Sequence, residues 1–200
     1  MVVAAGAGER FGQRKQYERL GAQRVLDWSL VTASEMSAGV VAVVPSDVAH
    51  EPEPLANATV PGGVTRSASV RAGLAALPPD VTHTLVHDAA RPVPLLDVWQ
   101  RVLEALASGA EVVVPVVAVT DTLREREGPT VDRSRFVAVQ TPQAFRVDVL
   151  RRAHASDSDA TDDATLAERV GAKVSTVDGD PRNIKITEPW HLALAELLLP

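Results

Sequence analysis

The segment Ala4-Ala5-Gly6-Ala7-Gly8-Glu9-Arg10-Phe11-Gly12-Gln13-Arg14-Lys15 places glycines and then spaced cations directly behind an apolar start. Glycines at such a turn let backbone N–H groups come close to phosphate oxygens, because no Cβ stands in the way. A P-loop would need Gly-Lys-Ser/Thr at its end, and here Gly12 is followed by Gln13-Arg14. A dinucleotide fingerprint would need a small residue where Phe11 stands. What fits is a loop backed by fixed positive charge. Arg10 and Lys15 can both face a triphosphate and neutralise the charge that builds up at a phosphorus under attack. Taken alone, a tight turn with solvated Arg10 and Lys15 is the commoner arrangement, so the weight falls on later segments.

In Val86-His87-Asp88-Ala89-Ala90-Arg91-Pro92, an acid follows a short apolar run. Asp88 either caps the next segment or sits where an open α/β sheet binds its ligands, at the carboxyl end of a strand. Lys185 lies between Ile184 and Ile186, so in extended backbone its side chain points away from theirs. Asp162-Asp163 reads as ordinary negative charge at a helix start, preferred here over a catalytic role. His83 and His87 share one face of a strand with no third ligand near, which argues against zinc. No Gly-x-Ser-x-Gly occurs and there is no cysteine, so nucleophile elbows, thiol chemistry, disulfides and iron–sulfur ligation are excluded. With 26 acidic and 20 basic residues the 200-residue chain has a net charge of −6, the wrong sign for a general nucleic-acid binder. An aromatic content of 4% also speaks against a base-stacking platform. Local cations in an acidic chain are what a small-polyanion site calls for.

These residues need elements to hold them. Met1–Ala4, Val40–Val44, Thr84–Val86, Val112–Val117 and Val174–Val177 read as short strands. The longer runs are apolar throughout rather than alternating, which suggests burial on both faces. Helical patterns fall at 25–37, 68–77, 96–107, 147–155, 164–170 and 188–199, the last with Thr187 as N-cap and Pro189 in its first turn. Strand–helix alternation predicts a doubly wound α/β sheet. The charged stretch 120–141 interrupts it, with two extended segments around Glu127-Gly128-Pro129, and predicts a hairpin leaving the sheet. Such an arm buries little of itself, which points to a partner subunit; a solvated hairpin is the alternative. Asp157-Ser158-Asp159 is the one short polar, disorder-like stretch. A single domain over residues 1–200 is expected, with the arm as an insertion. No apolar run approaches the ~20 residues of a membrane span and no secretory segment precedes the first strand, so a cytoplasmic location is expected.

Five segments in this order resemble a known family: Ala4-Ala5-Gly6-x-Gly8-x-Arg10 with Lys15-Gln16, His87-Asp88-Ala89-Ala90-Arg91-Pro92, Gln140-Thr141-Pro142-Gln143-Ala144-Phe145, Thr161-Asp162-Asp163-Ala164 and Asn183-Ile184-Lys185-Ile186-Thr187. They are similar to the 2-C-methyl-D-erythritol 4-phosphate cytidylyltransferases of non-mevalonate isoprenoid synthesis. The likeness runs from residue 4 to residue 187. It implies a Rossmann-like, mostly parallel sheet of the nucleotide-diphospho-sugar transferase type, with a protruding β-arm that makes a homodimer. It also implies CTP and an alditol phosphate as substrates, and Mg²⁺ on the triphosphate with no protein ligand singled out. Ala4, Ala5, Gly6 and Gly8 would line the triphosphate loop, and Arg10 and Lys15 would stabilise the transition state. Gly62, Gly63, Arg66 and Ser69 would border cytosine and ribose, with Asp88 and Ala89 beside the nucleotide. Asp88 would bind substrate hydroxyls and Lys185 the substrate phosphate. Thr122, Arg133 and Arg91 would reach a neighbouring subunit's substrate from the arm side. The chain departs from the pattern in a loop about two residues shorter before Lys15, with Arg14 where relatives carry proline. Arg14 is therefore the alternative cation. Val64 stands where relatives often carry a polar residue. Ribitol 5-phosphate cytidylyltransferases share the loop and the His-Asp-Ala-Ala-Arg segment and form the nearest rival, with a non-catalytic nucleotide-binding dimer behind them. Some relatives are fused to a cyclase; a chain closing at Pro200 is expected to lack that domain.

Overall fold

The computed structural model describes residues 1–156 and 159–200. Asp157 and Ser158 of the polar stretch noted above lie outside the described residues.

The valine-rich runs become the inner strands of one sheet. Strand β1 (Val2–Val3) pairs in parallel with β4 (Val41–Val44) and β6 (His83–Asp88), and β4 pairs in parallel with β5 (Ala58–Pro61). On the other side β7 (Val112–Ala118) pairs in parallel with β10 (Val174–Asp178). Between these halves β9 (Gln143–Arg146) runs antiparallel to both β6 and β7, giving the order β10-β7-β9-β6-β1-β4-β5. A two-stranded hairpin, β2 (Arg19–Leu20) with β3 (Gln23–Arg24), stands apart from it.

The runs are apolar throughout because both faces are covered. Val41 and Val43 point into a core built with Val70 and Leu74 of α2 (Arg66–Ala75), Leu150 of α4 (Val147–Ala153) and Leu166 of α5 (Asp163–Arg169). Their neighbours Ala42 and Val44 point the other way. They meet Leu26 and Leu30 of α1 (Val25–Met36) and Trp99, Val102 and Leu106 of α3 (Leu96–Ala107). The last helix, α6 (Trp190–Leu197), adds a small core with Phe11, Leu20 and Ile186 that fastens the glycine loop to the chain's end.

Some expectations are corrected. Strands β5 and β9 are additions to the expected set, since neither has a long valine run; β9 is buried through Gln143, Ala144 and Phe145. Helix α2 starts two residues earlier than predicted, with Thr65 as its N-cap accepting from the Ala68 N–H at 3.1 Å. Helix α6 starts at Trp190 rather than after Thr187. The Thr187 hydroxyl and the Glu188 N–H both face His191 Nδ1, at 3.4 and 3.1 Å, so the histidine ring takes the place of the expected cap. The arm is paired over less of its length than a full hairpin. Strand β8 (Val137–Val139) returns along the end of β7, and beyond it the bridge Arg124–Thr130 closes the tip, with the Val131 N–H on the Leu123 carbonyl and the Glu125 N–H on the Pro129 carbonyl. Pro129 has no N–H to give to a ladder, and charged side chains on both strands have no face to bury. No helix among the described residues is long and apolar enough to cross a membrane.

Candidate functional site

Parallel strands deliver their carboxyl ends to one edge, and the segments singled out in the sequence converge there. The glycine loop leaves β1, Asp88 is the last residue of β6, and Gly62-Gly63 follow β5. Together they border a cleft of about 400 Å³. Ala4, Ala5, Gly6, Arg10 and Lys15 line it from the loop side, and Gly63, Arg66 and Ser69 from the start of α2. Asp88, Ala89 and Lys185 close it below.

Two glycines act on shape rather than contact. Gly8 has φ +77°, and a Cβ there would overlap the Gln13 carbonyl oxygen. Its own carbonyl accepts from the N–H groups of Phe11 and Gly12 at 2.8 and 2.9 Å, which curls the short loop back on itself. A Cβ on Gly62 would overlap that of Ala5, so glycine is what lets the β5–α2 turn close onto the glycine loop. Buried Gln16 donates to the Gly6 carbonyl at 3.2 Å and holds the loop from behind.

The cleft floor is a charge alternation. Asp88 Oδ2 accepts from Lys185 Nζ at 2.5 Å and Asp88 Oδ1 from Arg66 Nε at 3.1 Å. Burial alone would push the Asp88 carboxyl up; the charges of Arg66 and Lys185 and their hydrogen bonds outweigh it and hold the group well below the usual carboxylate range. Lys185 lies opposite Ile186, as its place between two isoleucines predicts, since Ile186 is fully buried in the α6 core. Lys15 is half-buried, and desolvation together with the charges of Lys185 and Arg10 pulls its pKa down. Four cations, Arg10, Lys15, Arg66 and Lys185, line this cleft against the one carboxylate of Asp88, a positive balance that suits an anion.

Arg14 lies away from the cleft. Its guanidinium forks onto Asp47 at 2.8 and 2.9 Å, outside the residues lining the cleft, while Lys15 faces in despite the short loop. Arg91 does not line the cleft either. It donates to the Asn183 carbonyl at 2.5 Å and the Val139 carbonyl at 3.4 Å, bracing the Lys185 loop against the arm's base. Thr122 and Arg133 are exposed on the arm, away from this chain's cleft, with the Arg133 guanidinium on the Thr120 carbonyl. Val64 is fully exposed at the cleft rim.

His87 behaves as a buried neutral histidine. Its Nε2 donates to the Arg91 carbonyl at 3.1 Å and its Nδ1 meets the Thr141 hydroxyl at 3.2 Å, while that hydroxyl accepts from the Asp88 N–H at 3.1 Å. Desolvation, only partly opposed by Asp88, lowers its pKa from 6.5 to about 4. A lowered histidine binds its proton more readily when unfolded. The His87 contribution to stability is therefore whole above pH 6.5 and is lost as pH drops towards 4, by about 3 kcal/mol. Urea titrations from pH 7 to 4 on wild type and His87→Gln are expected to show that slope in the first and a flatter one in the second.

Sequence reading missed some supporting residues. Asp163 and His154 stand behind Arg66, and Gln140 joins Asp180 to Asn183 under the Lys185 loop. The Gln140-Thr141-Pro142 and Asn183 segments were visible as motifs, but nothing in their residue types says that they touch.

A mostly parallel sheet whose carboxyl edge gathers cations round one carboxylate, beside a glycine loop, has the layout of a nucleotidyltransferase. Comparison with known proteins takes this further. The model of the IspD family, 2-C-methyl-D-erythritol 4-phosphate cytidylyltransferase, matches residues 1–200. A 2-C-methyl-D-erythritol 4-phosphate cytidylyltransferase of Nocardia farcinica is 42% identical over an alignment covering all of this chain and 92% of that protein. The bifunctional enzyme IspD/IspF of Solidesulfovibrio magneticus is also 42% identical, and this chain spans only 57% of its length. The crystal structure of 2-C-methyl-D-erythritol 4-phosphate cytidylyltransferase from Thermus thermophilus superposes with a TM-score of 0.85 at 38% identity, over 98% of this chain and 96% of that one. The chain belongs to the IspD family.

Proposed function

We propose that the cleft carries out the reaction for which the family is named, transfer of a cytidylyl group from CTP to 2-C-methyl-D-erythritol 4-phosphate, in isoprenoid precursor synthesis. The observation that carries the residue-level reading is Asp88 clamped between Arg66 and Lys185, with Lys15 and Arg10 lining the same cleft. An alditol phosphate oxygen is already anionic and needs no general base. It attacks the α-phosphorus of CTP; the new P–O bond forms as the α–β bridging P–O bond breaks, and pyrophosphate leaves with the electron pair. What the protein must do is hold two polyanions in line and cancel their repulsion.

The backbone of Ala5 and Gly6 faces the triphosphate, in a loop that Gly8 curls, and Ala4, whose N–H is held by the Val43 carbonyl, lines its base. Arg10 and Lys15 take the charge that grows on the phosphoryl oxygens. Gly63, Arg66 and Ser69, with Gly62 allowing the close approach, hold the cytosine and ribose side, and Ala89 lines the floor. Asp88 accepts from substrate hydroxyls and Lys185 holds the alditol phosphate. Among the described residues no group of three His, Asp or Glu side chains could hold a metal, and both Asp88 oxygens are taken by cations. Mg²⁺ would accompany the triphosphate as part of the substrate and would screen its charge. A nucleoside triphosphate donor goes with a cytoplasmic setting.

The arm supports a homodimer. Phe136, Val137 and Val139 are 46%, 52% and 42% exposed on it, an apolar strip a partner copy would cover. Thr122 and Arg133 would then reach the partner's alditol site. Phe136→Asp is expected to shift sedimentation from dimer to monomer and to lower kcat/KM by roughly 10-fold or more, because each cleft loses its visiting arginine. A variant that stays dimeric and fully active removes the arm from this role.

The test of the reaction is pyrophosphate release with CTP and Mg²⁺, offering methylerythritol phosphate or ribitol 5-phosphate. Release with the former is expected. Release with ribitol 5-phosphate alone, or none despite CTP binding, overturns the assignment.

A further inference from the structure

Arg66 is held from two sides. Its Nε donates to Asp88 on the cleft floor at 3.1 Å, and its Nη1 donates to Asp163 Oδ2 at 2.6 Å on the far side. Asp163 is fully buried, and its other oxygen accepts from His154 Nε2 at 3.0 Å. A carboxylate with both oxygens engaged in a buried setting cannot rotate freely, and it fixes what it binds. The segment carrying it is stitched to the start of α2. The Thr65 hydroxyl donates to Asp159 at 2.6 Å, and Ser67 exchanges hydrogen bonds with the backbone of Ala160, both at 3.2 Å. The result is a line of alternating charge, Lys185–Asp88–Arg66–Asp163, ended by His154.

We propose that Asp163 is a positioning residue for the nucleotide half of the cleft, acting through Arg66 and locked by His154. The inference rests on the reading of Arg66 as a nucleotide contact. Without the Asp163 charge, Arg66 has one carboxylate left, Asp88, which it must share with Lys185. The guanidinium then swings towards Asp88, and the surface beside Gly63 and Ser69 that it helps to shape is lost. Lys15 and Arg10 stand on another loop and keep their places. The effect therefore falls on CTP affinity and spares the chemical step.

Asp163→Asn keeps the shape and removes the charge. Calorimetry with CTP is expected to show a Kd raised ~10-fold. In steady state KM for CTP rises similarly, while kcat at saturation and KM for methylerythritol phosphate stay within ~3-fold. In an Arg66→Ala background the same substitution is expected to add nothing further, because its route of action is gone. Independent, multiplying effects in that cycle overturn the proposal, as does an equal loss for both substrates or unchanged CTP affinity. Should Asp163→Asn not fold, His154→Leu frees one carboxylate oxygen while leaving the charge, and a ~3-fold weaker CTP affinity with unchanged alditol KM is expected; no change overturns the proposal. Wild-type protein that binds no CTP would overturn the nucleotide reading itself, a failure separate from any behaviour of the variants.

Discussion

Lys15→Met is expected to lower kcat by about 10²- to 10³-fold while leaving the protein as stable as wild type. The two halves have one cause. Lys15 is half-buried beside Arg10 and Lys185, and its pKa is pulled down by desolvation and by those two charges. In the empty protein its positive charge is therefore disfavoured, and methionine of similar length relieves repulsion rather than breaking a pair. With a triphosphate in the cleft the sign would reverse, and the charge that was a burden would become the counter-ion of the phosphoryl oxygens. A purely structural lysine would show the opposite, losing stability and keeping turnover. Arg14→Ala supplies the control, because Arg14 is occupied with Asp47 outside the cleft and is expected to change kcat less than ~3-fold. Single-turnover rates and thermal melts on both variants decide the matter. Normal turnover in Lys15→Met would transfer the role to Arg10.

That contrast also marks how far the sequence could be read. Arg14 and Lys15 are adjacent cations in a loop of unusual length, and residue types alone gave no means of choosing between them. The choice is made by the positive φ at Gly8 and Gly12 and by the carbonyl of Gly8, which accepts two N–H groups and so turns Lys15 inward. The valine runs announced buried strands because continuous hydrophobicity has few other uses. Asp88 at a strand's end and Lys185 opposite two isoleucines were legible for the same reason, since period-two geometry fixes where such side chains point. Strand β9 was not, because Gln143-Ala144-Phe145 carries no β-branched run and is a strand only through its place between β6 and β7.

Asp163 stands at a helix start, as expected, and its long-range partner lay beyond the reach of sequence. An acid in the first turn of a helix has an adequate local explanation, and Asp162 meets it, accepting from the N–H groups of Ala164 and Thr165. The next residue, chemically identical, points into the protein and meets an arginine 97 positions earlier. Local pattern separates neither acid from the other; only the packing of α5 on α2 does. Residues that position rather than touch a substrate are in general of this kind, with long-range partners and ordinary neighbours.

The other large effect belongs to Asp88. Asp88→Asn leaves Arg66 and Lys185 facing each other without the charge between them. A buried pair broken by removing one partner costs about 3 kcal/mol or more, with Lys185 adding the smaller part because it is partly open to solvent. Activity is expected to fall at least ~10²-fold, because the hydroxyl acceptor is weakened and Lys185 loses the anchor that aims it. The pH dependence gives a second, independent mark. A carboxyl held below its ordinary 3.8 contributes stability that is complete above that pH and is lost as pH falls below it towards the folded value. The His87 contribution is lost earlier, between 6.5 and about 4. Wild type should therefore lose both contributions in succession, and Asp88→Asn should keep the His87 stage and lose less than wild type below pH 3.8, where Asp27, Asp47, Asp148 and Asp180, held down by their own arginines, still contribute. Denaturant titrations from pH 7 to 2.5 separate them. An Asp88→Asn protein with an unchanged lower stage would mean that the carboxylate is not clamped by Arg66 and Lys185, and the roles of all three in the cleft would fall together.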